Sequence, residues 1–119
     1  MATIKEDYCS KEIYRLLIEK GFDGEIHTTF DKEGYTQPSI THQMAMKWLR
    51  EKGFHINASI SYDYSEDADG NIVDKWTFWL FEIFSLFGGD IIYTEEVNEY
   101  DSYEEAVEAA LKYCLENLI

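Results

Sequence analysis

The hydrophobic pattern of the chain switches between a helical period near 3.6 and a strand period of 2, and the switches mark out its elements. Residues 10–20 place Ile13, Leu16, Leu17 and Lys20 on one side of a helix, with Ser10 as its N-cap. Ile26, Thr28 and Phe30 then alternate with Glu25, His27 and Thr29, a strand that runs into the turn-like Asp31-Lys32-Glu33-Gly34. Residues 35–40 return as a short edge strand, a place that suits Pro38, the chain's only proline, because it has no ladder donor. A second helix over 41–52 brings Ala45, Trp48 and Leu49 together with Met44 beside them.

The alternation is clearest after residue 53. Phe54, Ile56, Ala58, Ile60, Tyr62 and Tyr64 point one way and His55, Asn57, Ser59, Ser61 and Asp63 the other, so one face of this strand is expected to be wet. Residues 65–71 read as a loop ending in Asp-Gly-Asn, a hairpin signal. The next strand, 76–84, carries Trp76, Phe78 and Leu80 on one face and Trp79, Phe81 and Ile83 on the other, which predicts a central strand covered on both sides. Gly88-Gly89-Asp90 turns the chain into a third strand over 91–96. The last helix, 102–118, is capped by Asp101 or Ser102 and has Glu104 and Glu105 at its positive end. Its stripe is Tyr103, Ala106, Val107, Ala110, Leu111, Cys114 and Leu118, and its outer row is Glu104, Glu108, Lys112 and Glu116. In that row Glu108 and Lys112 form an i,i+4 pair.

The tetrapeptide Glu-Lys-Gly-Phe occurs at 19–22 and again at 51–54, each time between a helical and a strand-like pattern. Both copies read as helix stops, with Gly in the left-handed conformation and Phe folding back on the last turn. The flanks do not match, which favours convergent capping over duplication. The expected architecture is one α+β domain over 1–119 in the order αββαβββα. It has an antiparallel sheet of four or five strands, helices 41–52 and 102–118 on one face, and helix 10–20 at least partly covering the other.

Composition adds a sign to this picture. The 119 residues are 45% hydrophobic and 16% aromatic, enough for one core, so the net charge of −14 belongs to a folded surface rather than to a disordered chain. Residues 1–62 carry nine acids against eight bases, whereas 63–119 carry fifteen against two. No apolar segment reads as a signal peptide or membrane span, and Cys9 and Cys114 lack CxxC spacing, which fits a reducing cytoplasm. Cys114, on the apolar stripe, is expected to be buried.

Candidate chemistry is sparse. Residues 65–70 superficially resemble a calcium loop, but a twelve-residue loop from Ser65 lacks an acid at its first position and puts Trp76 where the bidentate Glu belongs. His27, His42 and His55 share no i,i+4 or HxH spacing, and exposed strand histidines are the simpler reading. Trp76, Trp79 and Phe81 lack the neighbouring Lys and Arg that a base-stacking surface uses, so they read as core. No catalytic residue, metal ligand or cofactor is assigned.

Residues 43–51 (Gln-Met-Ala-Met-Lys-Trp-Leu-Arg-Glu) and 103–119, with the opening Ala-Thr-Ile-Lys-Glu-Asp-Tyr, resemble small uncharacterised proteins of gut Bacteroides-type bacteria and their phages. More loosely, the chain resembles the phage alpha-beta-alpha sandwich domain. The resemblance implies a phage or mobile-element context and no activity. The order helix, three strands, helix from residue 41 also occurs in double-stranded RNA-binding domains. Those grip phosphate with lysines at the start of the last helix, and here that position reads Asp101-Ser102-Tyr103-Glu104-Glu105. Direct nucleic-acid binding is therefore not expected.

The acidic half carries the functional expectation. The simpler reading of those carboxylates is that they keep a small protein soluble and monomeric. The functional reading is a non-enzymatic interaction protein, an accessory factor docking on a basic protein through Asp63, Glu66, Asp67, Asp69, Glu95, Glu96, Glu99, Glu104, Glu105 and Glu108. Two alternatives stay open: a small hydrolase or ligand-binding module, which would need a polar cleft holding His27, His42 or His55 beside a carboxylate, and a homo-oligomeric structural protein.

Overall fold

Each helix starts on a hydroxyl. In a computed structural model of the chain, which describes residues 7–89, 91–94 and 99–119, the side chains of Ser10, Thr41 and Ser102 accept hydrogen bonds from the amides of Ile13, Met44 and Glu105 at 3.3, 3.1 and 3.1 Å. These caps open α1 (Lys11–Glu19), α2 (His42–Glu51) and α3 (Tyr103–Asn117). Glu105 Oε2 reaches back to accept from the Asp101 amide at 3.0 Å, so the start of α3 is capped from both sides.

Both Glu-Lys-Gly-Phe segments do end helices, with Gly21 at φ 89° and Gly53 at φ 99°. After α1 the amides of Gly21 and Phe22 bond back to Ile18 and Leu17 (3.1 and 2.9 Å), the double closure that satisfies the last carbonyls. The two phenylalanines then diverge. Phe22 is buried against Trp48, ring centroids 5.8 Å apart, whereas Phe54 opens a strand.

The strands are β1 (His27–Phe30), β2 (Thr36–Ser39), β3 (Phe54–Glu66), β4 (Ile72–Ser85) and β5 (Ile91–Thr94), and every pairing is antiparallel. Their hairpins β1–β2 and β3–β4 use one piece of turn chemistry twice. Asp31 Oδ1 accepts from the amides of Glu33 and Tyr35, and Asp67 Oδ1 from those of Asp69 and Asn71, all within 2.9–3.0 Å. Three residues after each aspartate stands a glycine with positive φ, Gly34 or Gly70. Because Asp67 starts the turn, β3 runs two residues into the stretch read as loop, and β4 begins at Ile72, four residues before the strand expected from Trp76.

Three expectations are corrected. The strands do not form one sheet: β1–β2 stands alone, and β3–β4–β5 is a separate three-stranded sheet. Pro38 has no amide hydrogen to lend a further neighbour, and directly after β2 the chain is taken up by residues 7–9, through Cys9 N–H to Ile40 O (2.8 Å) and His42 N–H to Asp7 O (2.9 Å). Helix α1 does not cover the second sheet face; its main contacts are with α3. The second face of β4 is consequently not sealed: Trp76 is 39% exposed, and Phe78, Leu80 and Phe84 are half-buried.

The core lies on the other face. Ile56, Phe81 and Ile83 meet Ala45, Trp48 and Leu49 of α2 and Val107, Ala110, Leu111, Cys114 and Leu115 of α3, and α1 adds Ile13 and Leu17. No helix among the described residues is long and apolar enough to cross a membrane. The radius of gyration is 17.3 Å, against about 13.5 Å for a compact chain of this length, and the extents are 57 × 42 × 25 Å. The excess is the β3–β4 ribbon, which outruns the helices.

Gly21→Ala and Gly53→Ala should each lower stability by about 1–2 kcal/mol in chemical denaturation, the penalty of a left-handed L-residue. A Cβ at Gly53 would also meet the Phe87 ring, but that ring is 86% exposed and free to swing away, so the two losses should be similar.

Candidate functional site

Two regions combine chemistry-bearing side chains with an unusual environment. The first is where the helix starts converge. Residues 7–9 lie alongside 40–42, bridged at Tyr8 and Thr41, and this brings Ser10, at the start of α1, and His42, in the first turn of α2, to the middle of α3. Glu108 receives both. Its Oε1 accepts from the Ser10 amide at 2.7 Å and lies 3.0 Å from His42 Nε2, while its Oε2 accepts from Ser10 Oγ at 3.1 Å.

Burial pushes the Glu108 carboxyl up, but the bonds from His42 and Ser10 outweigh it and hold the group below the ordinary carboxylate range. His42 is 4% exposed, and its Nδ1 has no hydrogen-bond partner among the described residues. Next to them runs a cleft of about 450 Å³ lined by Asp7, Tyr8, His42, Tyr100, Glu104, Glu105 and Glu108.

Ser10, His42 and Glu108 have the composition of a hydrolytic triad, but the connectivity is wrong for one. In a triad the histidine stands between nucleophile and acid and takes the nucleophile's proton. Here the carboxylate stands between serine and histidine, so Ser10 Oγ donates to an acid and no base faces it. The three groups act as a polar staple. Cys9, nearby, is no better as a nucleophile: burial and then the charge of Glu108 push its thiol up to about 12, and burial alone does the same to Cys114.

The second region is the far half of the β3–β4 ribbon. The face that buries Ile56 and Phe81 continues outward as Ile60, Tyr62 and Tyr64 of β3, which are 58%, 67% and 44% exposed, and ends at a bulge of β4 where Ile72 and Val73 are exposed too. The same stretch of ribbon carries Asp63 and Asp74 on its opposite face, Glu66 at its end and Asp67 and Asp69 in the turn, with Lys75 as the local cation. Asp67 is committed to the turn, and the amides it accepts, that of Asn71 foremost, hold its carboxyl below the ordinary range. No group of three or more His, Cys, Asp or Glu among the described residues is placed to hold a metal ion.

The acids singled out from the sequence therefore form two groups. Asp63, Glu66, Asp67 and Asp69 are exposed at the end of the ribbon; Glu104 and Glu105 are exposed in the first turn of α3, with Glu99 exposed just before it. Glu95 and Glu96 lie outside the described residues. Glu108 is half-buried and bonded inside the protein, and its expected partner Lys112 pairs instead with Glu12 of α1 at 3.1 Å. His42, inside the expected helix 41–52 but read as exposed, is buried. Sequence reasoning did not find the exposed apolar shelf, although strand length was a usable signal: a 13-residue strand spans about 43 Å, and the 15-residue α3 about 22 Å. No family model, curated protein or solved structure matches the chain.

Glu108→Gln should cost about 1–3 kcal/mol at neutral pH, because Ser10 and His42 lose a charged acceptor. The folded-state pKa of Glu108 is depressed, so the contribution is full above the usual value of 4.5 and fades as pH falls through the lower folded value. Denaturation of the two proteins should accordingly converge in acid. Alkylation of Cys9 and Cys114 at about pH 8 should be at least about 100-fold slower in the native protein than in denaturant.

Proposed function

We propose that the chain is a non-enzymatic interaction protein that docks on a basic protein through the far half of its β3–β4 ribbon. The observation that carries this reading is the continuation of the core face past the helices as Ile60, Tyr62 and Tyr64, with Ile72 and Val73 at the bulge, all exposed on a stretch of ribbon that carries five carboxylates. A contiguous apolar shelf on a small protein gains free energy when covered. Five acids on the same stretch of ribbon repel phosphates and acidic proteins and draw in lysine and arginine, which speeds encounter and sets orientation. The resemblance to proteins of gut bacteria and their phages supplies the setting, a mobile-element accessory factor acting in the cytoplasm. The cleft beside His42 supports a ligand-binding module less well, because Glu108, Ser10 and His42 spend their polar groups on one another.

The test starts with capture from bacterial lysate, followed by purification of the captured protein and titration. Tyr62→Ser/Val73→Ser and Glu66→Gln/Asp69→Asn should each weaken its binding at least about 10-fold while changing stability by less than about 1 kcal/mol, the residues being exposed. Binding should also weaken as salt rises, since exposed charges are screened over about 8 Å at physiological ionic strength. An acidic partner, or affinity indifferent to both double variants and to salt, would overturn the reading.

A further inference from the structure

The ladder itself indicates how a partner is held. Trp79 of β4 gives its N–H and C=O to Tyr100, at 2.8 and 3.0 Å, and so turns them away from β3. Its opposite residue Ile60 therefore faces both backbone groups away from β4, toward the outer edge of β3, and by the alternation of an antiparallel ladder Tyr62 and Tyr64 do the same. The bonds at the ribbon's end agree: the amide of Tyr64 is taken by Asp63 Oδ1 at 2.8 Å, and that of its opposite Lys75, on the other edge, by Asp74 Oδ1 at 2.9 Å. Neither amide is in the ladder. Among the described residues β3 pairs with β4 alone, so Ile60 and Tyr62 keep their edge groups open beside side chains that are themselves exposed.

The geometry points to strand addition: an extended segment of the basic partner pairs with the edge of β3 at Ile60 and Tyr62, making the sheet one strand wider. This rests on the ribbon being the docking surface and adds the chemistry of what docks. Side chains of an added strand alternate between the two faces. One set would lie beside Ile60, Tyr62 and Tyr64, which asks for apolar residues; the other would lie beside Ser59, Ser61 and Asp63, which asks for lysine or arginine. When a partner carbonyl takes over the Tyr64 amide, Asp63 is released to pair with that cation. A second copy fits this edge poorly, because it would bring a second acidic ribbon end, with its own Asp63, Glu66, Asp67 and Asp69, into the same interface.

The probe is a peptide of about eight residues alternating valine and lysine, with a twin N-methylated on alternate residues so that its ladder donors are removed. Both are titrated against the full chain by fluorescence anisotropy, and amide exchange is followed by NMR. The expected result is binding by the first peptide, at least about 10-fold weaker binding by the twin, and slowed exchange at Ile60 and Tyr62, with Ser61 and Asp63, already in the β3–β4 ladder, unchanged. Equal binding by the two peptides without protection of Ile60 and Tyr62 would overturn strand addition and leave docking on the ribbon's face standing. No binding by either peptide also overturns it, and the ribbon variants against the captured protein then decide the broader reading. Self-association that protects the same two amides without peptide would assign the edge to a second copy and overturn the proposal.

Discussion

The fold is organised around one carboxylate. Glu108 sits in the middle of α3 and accepts the main-chain and side-chain donors of Ser10 at the start of α1, while its other contact reaches His42 at the start of α2. A half-buried acid is tolerated only when its oxygens are bonded, and removing a partner from such a cluster costs more than the bonds add, because a desolvated charge is left behind. This cluster therefore fixes which side of α3 the first helix takes. Lys112, one turn further on, reinforces the choice by pairing with Glu12, so the row that looks like the wet side of α3 is the seat of α1.

With α1 placed there, the described helices cover the sheet on one face, and the covering is shorter than the sheet. Helices rise about 1.5 Å per residue and strands about 3.3 Å, so an αβ layer of comparable residue counts leaves strand uncovered unless further elements arrive. In this protein the surplus becomes a two-stranded ribbon whose apolar face is continuous with the core but is left uncovered by the described residues. Its edges are partly closed by Asp63 and Asp74, each bonding the amide that follows it, a local device that limits unwanted strand pairing. The gap in that protection, at Ile60 and Tyr62, coincides with the exposed apolar shelf. The same residues that a lone ribbon would hide are thus the ones it presents.

Much of the local structure was legible before any coordinates. The hydroxyl caps at Ser10 and Ser102, the two glycine stops, the Asp31 turn and the stripe of α3 all follow from bonds between residues within about five positions, which periodicity and capping rules address directly. What failed was long-range. The single sheet failed because residues 7–9, not a neighbouring strand, take up the chain after β2. The Glu108–Lys112 pair failed because each found a partner on another helix. Of the candidate site, the acids of the ribbon were visible as composition, but the apolar shelf was not: alternation at Ile60, Tyr62 and Tyr64 looks the same whether a helix covers it or ends short of it.

The amino-acid sequence alone determined the kinds of element, where they begin and stop, and the sign of the surface charge, because these depend on the intrinsic preferences and charges of near neighbours. The tertiary structure decided which carboxylate became internal, how the strands divided into sheets, and how far the core extends along the ribbon. Those outcomes depend on which distant groups meet, and on a mismatch between helix and strand rise that shows its effect only once the layers are stacked.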